Sequence, residues 1–214
     1  MFSITHSNIF VFLLTVPGVT FGIGGLDSFP FALFYAIFIL SFYKILIDRI
    51  SVMLIFLLLI IFTCAALSDV DRFNTLGILR QFLNYVSILV CAITIRKLDL
   101  KIETILRVLA FSLGLNILLG SVQLLGVDLF FSNARTDELR GAVGLFPEPT
   151  SLGLFSFATF IIGYCAFYNK QYTDFKKSAK RVIIMSLFCL IIISQSSTGI
   201  LLLSIFMVLK VLKF

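Results

Sequence analysis

The sequence has no tryptophan, one histidine and four prolines in 214 residues, and charged side chains make up only 13% of it. Soluble domains carry roughly 25% charged residues and about 45–50% apolar ones, whereas 60% of this chain is hydrophobic. An excess of this size does not fit inside one globular core, because the surface of a soluble domain must still face water. The scarcity of charge therefore excludes an ordinary soluble domain and predicts a chain surrounded largely by lipid.

Cysteine and histidine are too few and too scattered to indicate a metal site. Cys64, Cys91, Cys165 and Cys189 all fall within apolar runs, where cysteine usually packs as a small apolar side chain. No spacing between them is typical of metal ligands. His6 lies near a chain end that is predicted to be cytoplasmic, and we do not expect it to be catalytic. We expect no metal and no other cofactor.

Apolar runs divided by short polar connections predict about eight transmembrane helices, since each span needs about 20 mostly apolar residues. The predicted spans are 9–25, 29–47, 52–67, 76–95, 104–125, 150–168, 182–194 and 199–212. The last two are short, and a single re-entrant hairpin is an alternative for them. The first span, which Pro17 and Gly18 interrupt, could instead be a cleaved signal peptide, but it lacks a basic leader and a clear cleavage site. The sequence thus predicts an all-α, polytopic membrane protein in which residues 1–214 form one helical domain.

Lysine and arginine give the predicted orientation, because short cytoplasmic loops carry an excess of both. Of the 17 basic residues, 13 fall in one alternating set of loops and chain ends. The remaining four are Arg72, Arg80, Arg135 and Arg140. The amino terminus is therefore predicted to be cytoplasmic, and the longest outer loop spans about residues 126–149. The net charge of +6 is explained by this orientation, so we expect no nucleic-acid partner.

Two predicted helices carry polar faces. Arg80 and Asn84 are four residues apart, near the outer end of the fourth span, and so share one face. Arg80 is either an interfacial arginine that reaches towards water or the ligand of an anion in an outward cavity. The polar face of the fifth span consists of Ser112, Asn116, Gly120 and Gln123. This second face either bonds to neighbouring helices or lines a polar cavity.

Two further segments lie at the predicted outer ends of helices. In residues 140–151, Pro149 suits the first turn of a helix and Glu148 suits its positive end. Glu148 and Arg140 together are also what a polar substrate site needs. The second segment is Ser194-Gln195-Ser196-Ser197-Thr198-Gly199. Its Ser196 and Thr198 either cap the next helix or bind phosphate and sugar hydroxyls.

These segments resemble a known family. Arg140, followed by Gly144-Leu145-Phe146-Pro147-Glu148-Pro149-Thr150-Ser151, resembles the R…G-x-x-x-E-P-S signature of the Wzy-type O-antigen and polysaccharide polymerases. The Ser196-Ser197-Thr198-Gly199 turn is similar to a later S-R-T-G or S-S-T-G element of the same proteins, with Ser197 where arginine often stands. Members usually have ten or more spans, so the resemblance implies an amino-terminal or truncated form.

The resemblance implies a bacterial inner-membrane enzyme that polymerises lipid-linked oligosaccharide repeat units at the outer face of the membrane. Its substrate and partners would be a polyprenyl-pyrophosphate-linked glycan, membrane lipid and other polysaccharide assembly proteins. Transfer in this family needs no metal. Candidate catalytic residues are Arg140 and Glu148; candidate substrate-binding residues are Arg80, Arg135, Asn84, Ser196 and Thr198. The alternatives are a ligase-like transferase of the same family, a transporter component, or a non-catalytic membrane fragment.

Overall fold

The structure is a computed structural model that describes residues 2–15, 31–42, 49, 52–53, 55–57, 59–60, 63, 75–98, 100–127, 141–146 and 148–212. For residues 2–5 and 75–85 it describes the backbone alone. Every regular element in these ranges is helical, which confirms the all-α prediction. The α-helices are α1 (Phe2–Leu14), α2 (Phe31–Ser41), α3 (Thr75–Lys97), α4 (Ile102–Leu124), α5 (Pro149–Tyr168), α6 (Lys176–Phe188) and α7 (Ser197–Leu212). A 3₁₀-helix (Lys170–Phe175) precedes α6, and a π-helix (Cys189–Ser194) continues it.

The chain divides into two compact units. The first contains residues 1–6 and 30–100, and within it α2 packs against α3. His6 belongs to this unit, where its Nδ1 forms a hydrogen bond of 2.5 Å with the Tyr35 hydroxyl. The second unit contains residues 7–29 and 101–214. Both predicted outer segments that resemble the polymerase signature belong to this second unit.

Helices α4 to α7 of the second unit alternate in direction. Thr159 Oγ1 of α5 lies 2.9 Å from Ser186 Oγ of α6, and near the other end of α5 Gly153 approaches Ser194, so these helices are antiparallel. Helix α7 runs parallel to α5, since Gly199 lies against Gly153 near their starts and the Phe160 and Phe206 rings lie 5.7 Å apart further along. The same pairing places the amino-terminal ends of α5 and α7 side by side.

The core of the second unit is built from the inward faces of α4, α5 and α6. Its members are apolar and buried: Leu106, Leu109, Leu113, Ala142, Phe146, Leu152, Ala166, Ala179, Val182, Cys189 and Ile193. Two of them, Ala142 and Phe146, come from the connection between α4 and α5 rather than from a helix. This connection is therefore part of the core.

Within the described ranges, α4 and α5 are long and apolar enough to cross a membrane, and α2 and α7 are apolar but shorter. Helix α4 starts two residues before its predicted span begins and ends one residue before that span ends. Helix α5 starts one residue before its predicted span. The seventh predicted span, 182–194, is longer in the structure, because helix begins at Lys176 and continues through the π-helix to Ser194. Half of the third predicted span, 52–67, lies outside the described residues. The number of membrane crossings stays a prediction.

Basic residues gather at one end of the second unit. Gly114 approaches Met185 and Gly120 approaches Ile193, so the start of α4 lies beside the start of α6. Lys210, near the end of α7, lies 4.9 Å from the ring centre of Tyr164 near the end of α5. The described lysines and arginines of this unit are Lys101, Arg107, Lys170, Lys176, Lys177, Lys180, Arg181 and Lys210. All of them lie at this end, and the connection between α4 and α5 lies at the other.

Candidate functional site

The segment 141–146, just before α5, is buried although it has no regular structure. All six residues are buried, and Val143 is only 1% exposed. The sequence predicts that residues 126–149 form an outer loop. In the structure residues 141–146 of that stretch are buried, because they pack against α4 and the π-helix.

A buried backbone segment must find partners for its polar groups, and here α4 provides the acceptors for three of its N–H groups. Gln123 Oε1 accepts hydrogen bonds from the Val143 and Gly144 N–H groups at 3.1 and 2.9 Å. Asn116 Oδ1 accepts from the Leu145 N–H at 2.9 Å. We call Asn116 and Gln123 the amide clamp.

The N–H groups on either side of these three are also bonded. Ala142 donates to the carbonyl of Ile193 in the π-helix at 2.8 Å, and Phe146 donates to the Val143 carbonyl at 3.0 Å. Every N–H from Ala142 to Phe146 therefore has a protein acceptor. These backbone donors are occupied, so an anionic substrate must be bound by other groups.

Glycine is needed at two positions of the segment. Gly144 has φ +58°, and a Cβ there would meet Asn116 Oδ1. Gly141 lies against the Ser194 carbonyl, so a side chain at Gly141 would collide with the backbone of the π-helix. The glycines of the signature thus allow the segment to lie directly on α4 and on the end of the π-helix.

The π-helix ends in a tight turn that leads into α7. Gln195 is left-handed with φ 47°, and it is the only non-glycine residue with positive φ in the described ranges. Ser196 follows, 5% exposed, and its Oγ accepts from the Gly199 N–H at 3.2 Å. Of the two predicted roles of Ser196, the structure therefore shows the helix cap. Thr198 is exposed in the first turn of α7.

The two signature segments meet at Gly153 and Gly199. A Cβ at Gly153 would collide with Ser196, and one at Gly199 would lie 3.1 Å from the Gly153 carbonyl oxygen. Small residues of this kind allow helix backbones to approach closely. Residues 144–153 and 194–199 are separated by about forty positions of sequence but pack against each other, at the end of the unit opposite its described lysines and arginines.

Glu148 occupies the N-cap position of α5, and Pro149 begins the helix. The predicted helix start is therefore confirmed. The Glu148 side chain is exposed and makes no capping hydrogen bond. Its carboxylate therefore does not cap the helix. It lies at the same end of the unit as Thr150 and Thr198, which are both exposed.

The other candidate residues are not brought to this site by the described structure. Arg135 and Arg140 lie outside the described residues. Arg80 and Asn84 belong to α3 of the first unit, where only their backbone is described. Among the residues that the structure describes, no cluster of three or more His, Cys, Asp or Glu side chains could hold a metal ion.

The amide clamp is the part of the site that the sequence did not assign. The polar face of α4 was predicted either to bond other helices or to line a cavity, but it bonds the backbone of a connecting segment. The signal for this role is a Gly-rich, largely apolar stretch, 141–146, that follows an amide-bearing helix.

No protein family, no curated protein and no solved structure matches this chain.

Proposed function

We propose that this chain is a polytopic membrane enzyme that joins lipid-linked oligosaccharide repeat units at the outer face of a bacterial inner membrane. The observation that carries the proposal is that the two segments resembling the polymerase signature, 144–153 and 194–199, pack against each other at one end of the second unit. Two segments that act on one substrate must lie close together in the fold. These two are far apart in the sequence, so their contact is not a simple result of chain connectivity.

Apolar exposure supports the membrane part of the proposal. Phe111 on α4, Ile184 on α6 and Leu201 on α7 are 62%, 56% and 60% exposed. Large apolar side chains exposed on several helices of one unit suit contact with lipid. The gathering of basic residues at the opposite end fits a cytoplasmic end, by the excess of lysine and arginine on that side. The signature segments would then face the outside.

The proposed substrate carries a pyrophosphate, and the site has features that suit one. Helices α5 and α7 begin side by side, and the positive ends of their dipoles favour an anion. Thr150 and Thr198 offer exposed hydroxyls there. Since the N–H groups of 142–146 are occupied, we assign the main binding of phosphate to arginine, whose planar guanidinium pairs with two phosphate oxygens. Arg140, next to Gly141 in the sequence, is the first choice, followed by Arg135.

The proposed reaction is a glycosyl transfer. A hydroxyl oxygen on the terminal sugar of the acceptor attacks the anomeric carbon of the donor glycan. The bond from that carbon to the pyrophosphate oxygen breaks, and the lipid pyrophosphate leaves with the electron pair. Glu148 accepts the proton of the attacking hydroxyl, a role for which its exposed carboxylate is suited. Arg140 stabilises the charge that develops on the leaving pyrophosphate.

The test is complementation of a strain that lacks this gene. Cells with the intact gene are expected to show a ladder of surface polysaccharide on a gel, whereas Glu148→Gln or Arg140→Ala should leave single repeat units. Lys177→Ala, at the opposite end of the unit, is the control and should leave the ladder unchanged. An unchanged ladder in both site variants, at normal protein level, would remove these residues from the mechanism. An unchanged ladder in the gene deletion would remove the proposed function itself.

A further inference from the structure

The amide clamp has a chemical logic that goes beyond holding the fold together. Both of its side chains reach the same segment from one helix face, since Asn116 and Gln123 are seven residues, or two turns, apart. Together they accept hydrogen bonds from three of the five N–H groups of residues 142–146. Asn116 is itself fixed, because its Nδ2 donates to the Ser112 carbonyl at 2.9 Å.

The clamp also favours one conformation of the segment. One oxygen of Gln123 accepts from the adjacent N–H groups of Val143 and Gly144, and Gly144 has φ +58°. A Cβ on Gly144 would touch the Asn116 oxygen that holds Leu145. Changing either amide therefore releases the backbone on the amino-terminal side of Glu148.

We infer that Asn116 and Gln123 are positioning residues, which set the place of Glu148 through the backbone of 142–146. The catalytic part of this inference rests on the proposed function, whereas the clamp itself does not. A group that must meet a sugar hydroxyl within hydrogen-bond reach depends on such support, because a displacement of about 1 Å can cost roughly a hundredfold in rate. Glu148 would depend on it in particular, since its side chain makes no capping bond of its own.

Two pairs of variants separate the acceptor oxygen from the rest of each side chain. Gln123→Met keeps the length of the side chain and removes the acceptor, whereas Gln123→Glu keeps an acceptor for Val143 and Gly144. Asn116→Leu removes the acceptor for Leu145, whereas Asn116→Asp, which is neutral in this fully buried place, keeps that acceptor and offers its O–H to the Ser112 carbonyl. Gln171→Met is the matched control. It makes the same substitution as Gln123→Met at an exposed position, at the end of the second unit opposite residues 142–146.

The experiment uses the full chain in lipid nanodiscs and has two readouts. The first is hydrogen exchange of the peptide that contains 142–146, measured by mass spectrometry. Gln123→Met and Asn116→Leu should speed this exchange by about tenfold, as the loss of roughly one net hydrogen bond predicts. Gln123→Glu, Asn116→Asp and Gln171→Met should stay close to the wild type. Unchanged exchange in Gln123→Met and Asn116→Leu would overturn the clamp.

The second readout is the rate of glycan extension with a polyprenyl-pyrophosphate-linked repeat unit. The two acceptor-free variants should lower kcat by about tenfold or more with little change in KM, and the two acceptor-keeping variants should recover most of it. Faster exchange with an unchanged kcat would overturn the positioning role. No extension by the wild-type protein would overturn the proposed function and, with it, the catalytic part of the inference, while the exchange data would still decide the clamp.

Discussion

Asn116 Oδ1 accepts a hydrogen bond from the backbone N–H of Leu145 at 2.9 Å, across 29 positions of the sequence. Both groups are buried. The bond therefore gives the Leu145 N–H an acceptor in place of water, in a segment that is not helical. The bond ties the middle of α4 to the part of the chain that resembles the polymerase signature. The stability and the arrangement of the candidate site therefore depend on a side chain outside that signature.

Asn116→Leu should destabilise the protein, because it leaves the buried Leu145 N–H without an acceptor. An unsatisfied buried donor costs about 1–3 kcal/mol, and each kcal/mol lowers Tm by roughly 2–4 °C in a chain of this size. The measurement is the apparent Tm of a fluorescent-protein fusion in detergent. Ser204→Ala, which removes only an exposed hydroxyl bond to the Ile200 carbonyl, is the control and should leave Tm almost unchanged. Equal Tm values for both variants would show that the Leu145 bond contributes nothing.

Gly144→Ala should cost more than Gly126→Ala, although both glycines have positive φ. Each substitution places an L side chain in left-handed backbone, at a cost of about 1–2 kcal/mol. At Gly144 the new Cβ also meets Asn116, whereas at Gly126 nothing lies within 4 Å. The apparent Tm of the two purified variants measures the difference. If Gly126→Ala is the more destabilised of the two, the contact between Gly144 and Asn116 is not a constraint.

Gly153→Ala should separate the amino-terminal ends of α5 and α7. The added Cβ would collide with Ser196, which is buried and caps α7. Overpacking of a tight contact costs about 1–3 kcal/mol. Gly114→Ala is the matched control, since its Cβ would meet only the flexible end of Met185 at 3.3 Å. Comparable Tm values for the two variants would argue against close packing of α5 on the turn before α7.

Fusions test the proposed orientation of the second unit. Alkaline phosphatase is active only outside the cytoplasm, and green fluorescent protein of the ordinary kind fluoresces only inside it. Fusion after Val127 should give phosphatase activity, whereas fusion after Gln171, among the basic residues, should give fluorescence. The opposite pattern would invert the topology, and fluorescence at both positions would remove α5 as a membrane span.

The sequence predicts the helices well where an apolar run is bounded by polar residues. Helices α4 and α5 begin and end within two residues of their predicted spans, because length and apolar composition determine them locally. Helix α6 begins six residues before its predicted span, since Lys176 to Arg181 were assigned to a cytoplasmic loop by charge although they form the first turns of the helix.

The site is harder to predict, because its arrangement depends on distant contacts. The π-helix has no local sequence signature, and the side chains that accept from Val143, Gly144 and Leu145 lie 20 or more positions upstream. The burial of residues 141–146 was not predicted, because glycines normally favour an exposed turn. Here they allow close contact with Asn116 and with the Ser194 carbonyl instead. Ser196 was predicted either to cap α7 or to bind phosphate and sugar hydroxyls. The contact with Gly199 that shows the cap is visible only in the structure.

The most direct measurement is reconstitution of the purified chain in liposomes with a polyprenyl-pyrophosphate-linked repeat unit as the only glycan. The account predicts products of two or more repeat units, together with release of one lipid pyrophosphate for each bond formed. Glu148→Gln in the same liposomes should form them far more slowly. Single repeat units alone, from a wild-type protein shown by hydrogen exchange to be folded, would contradict the account.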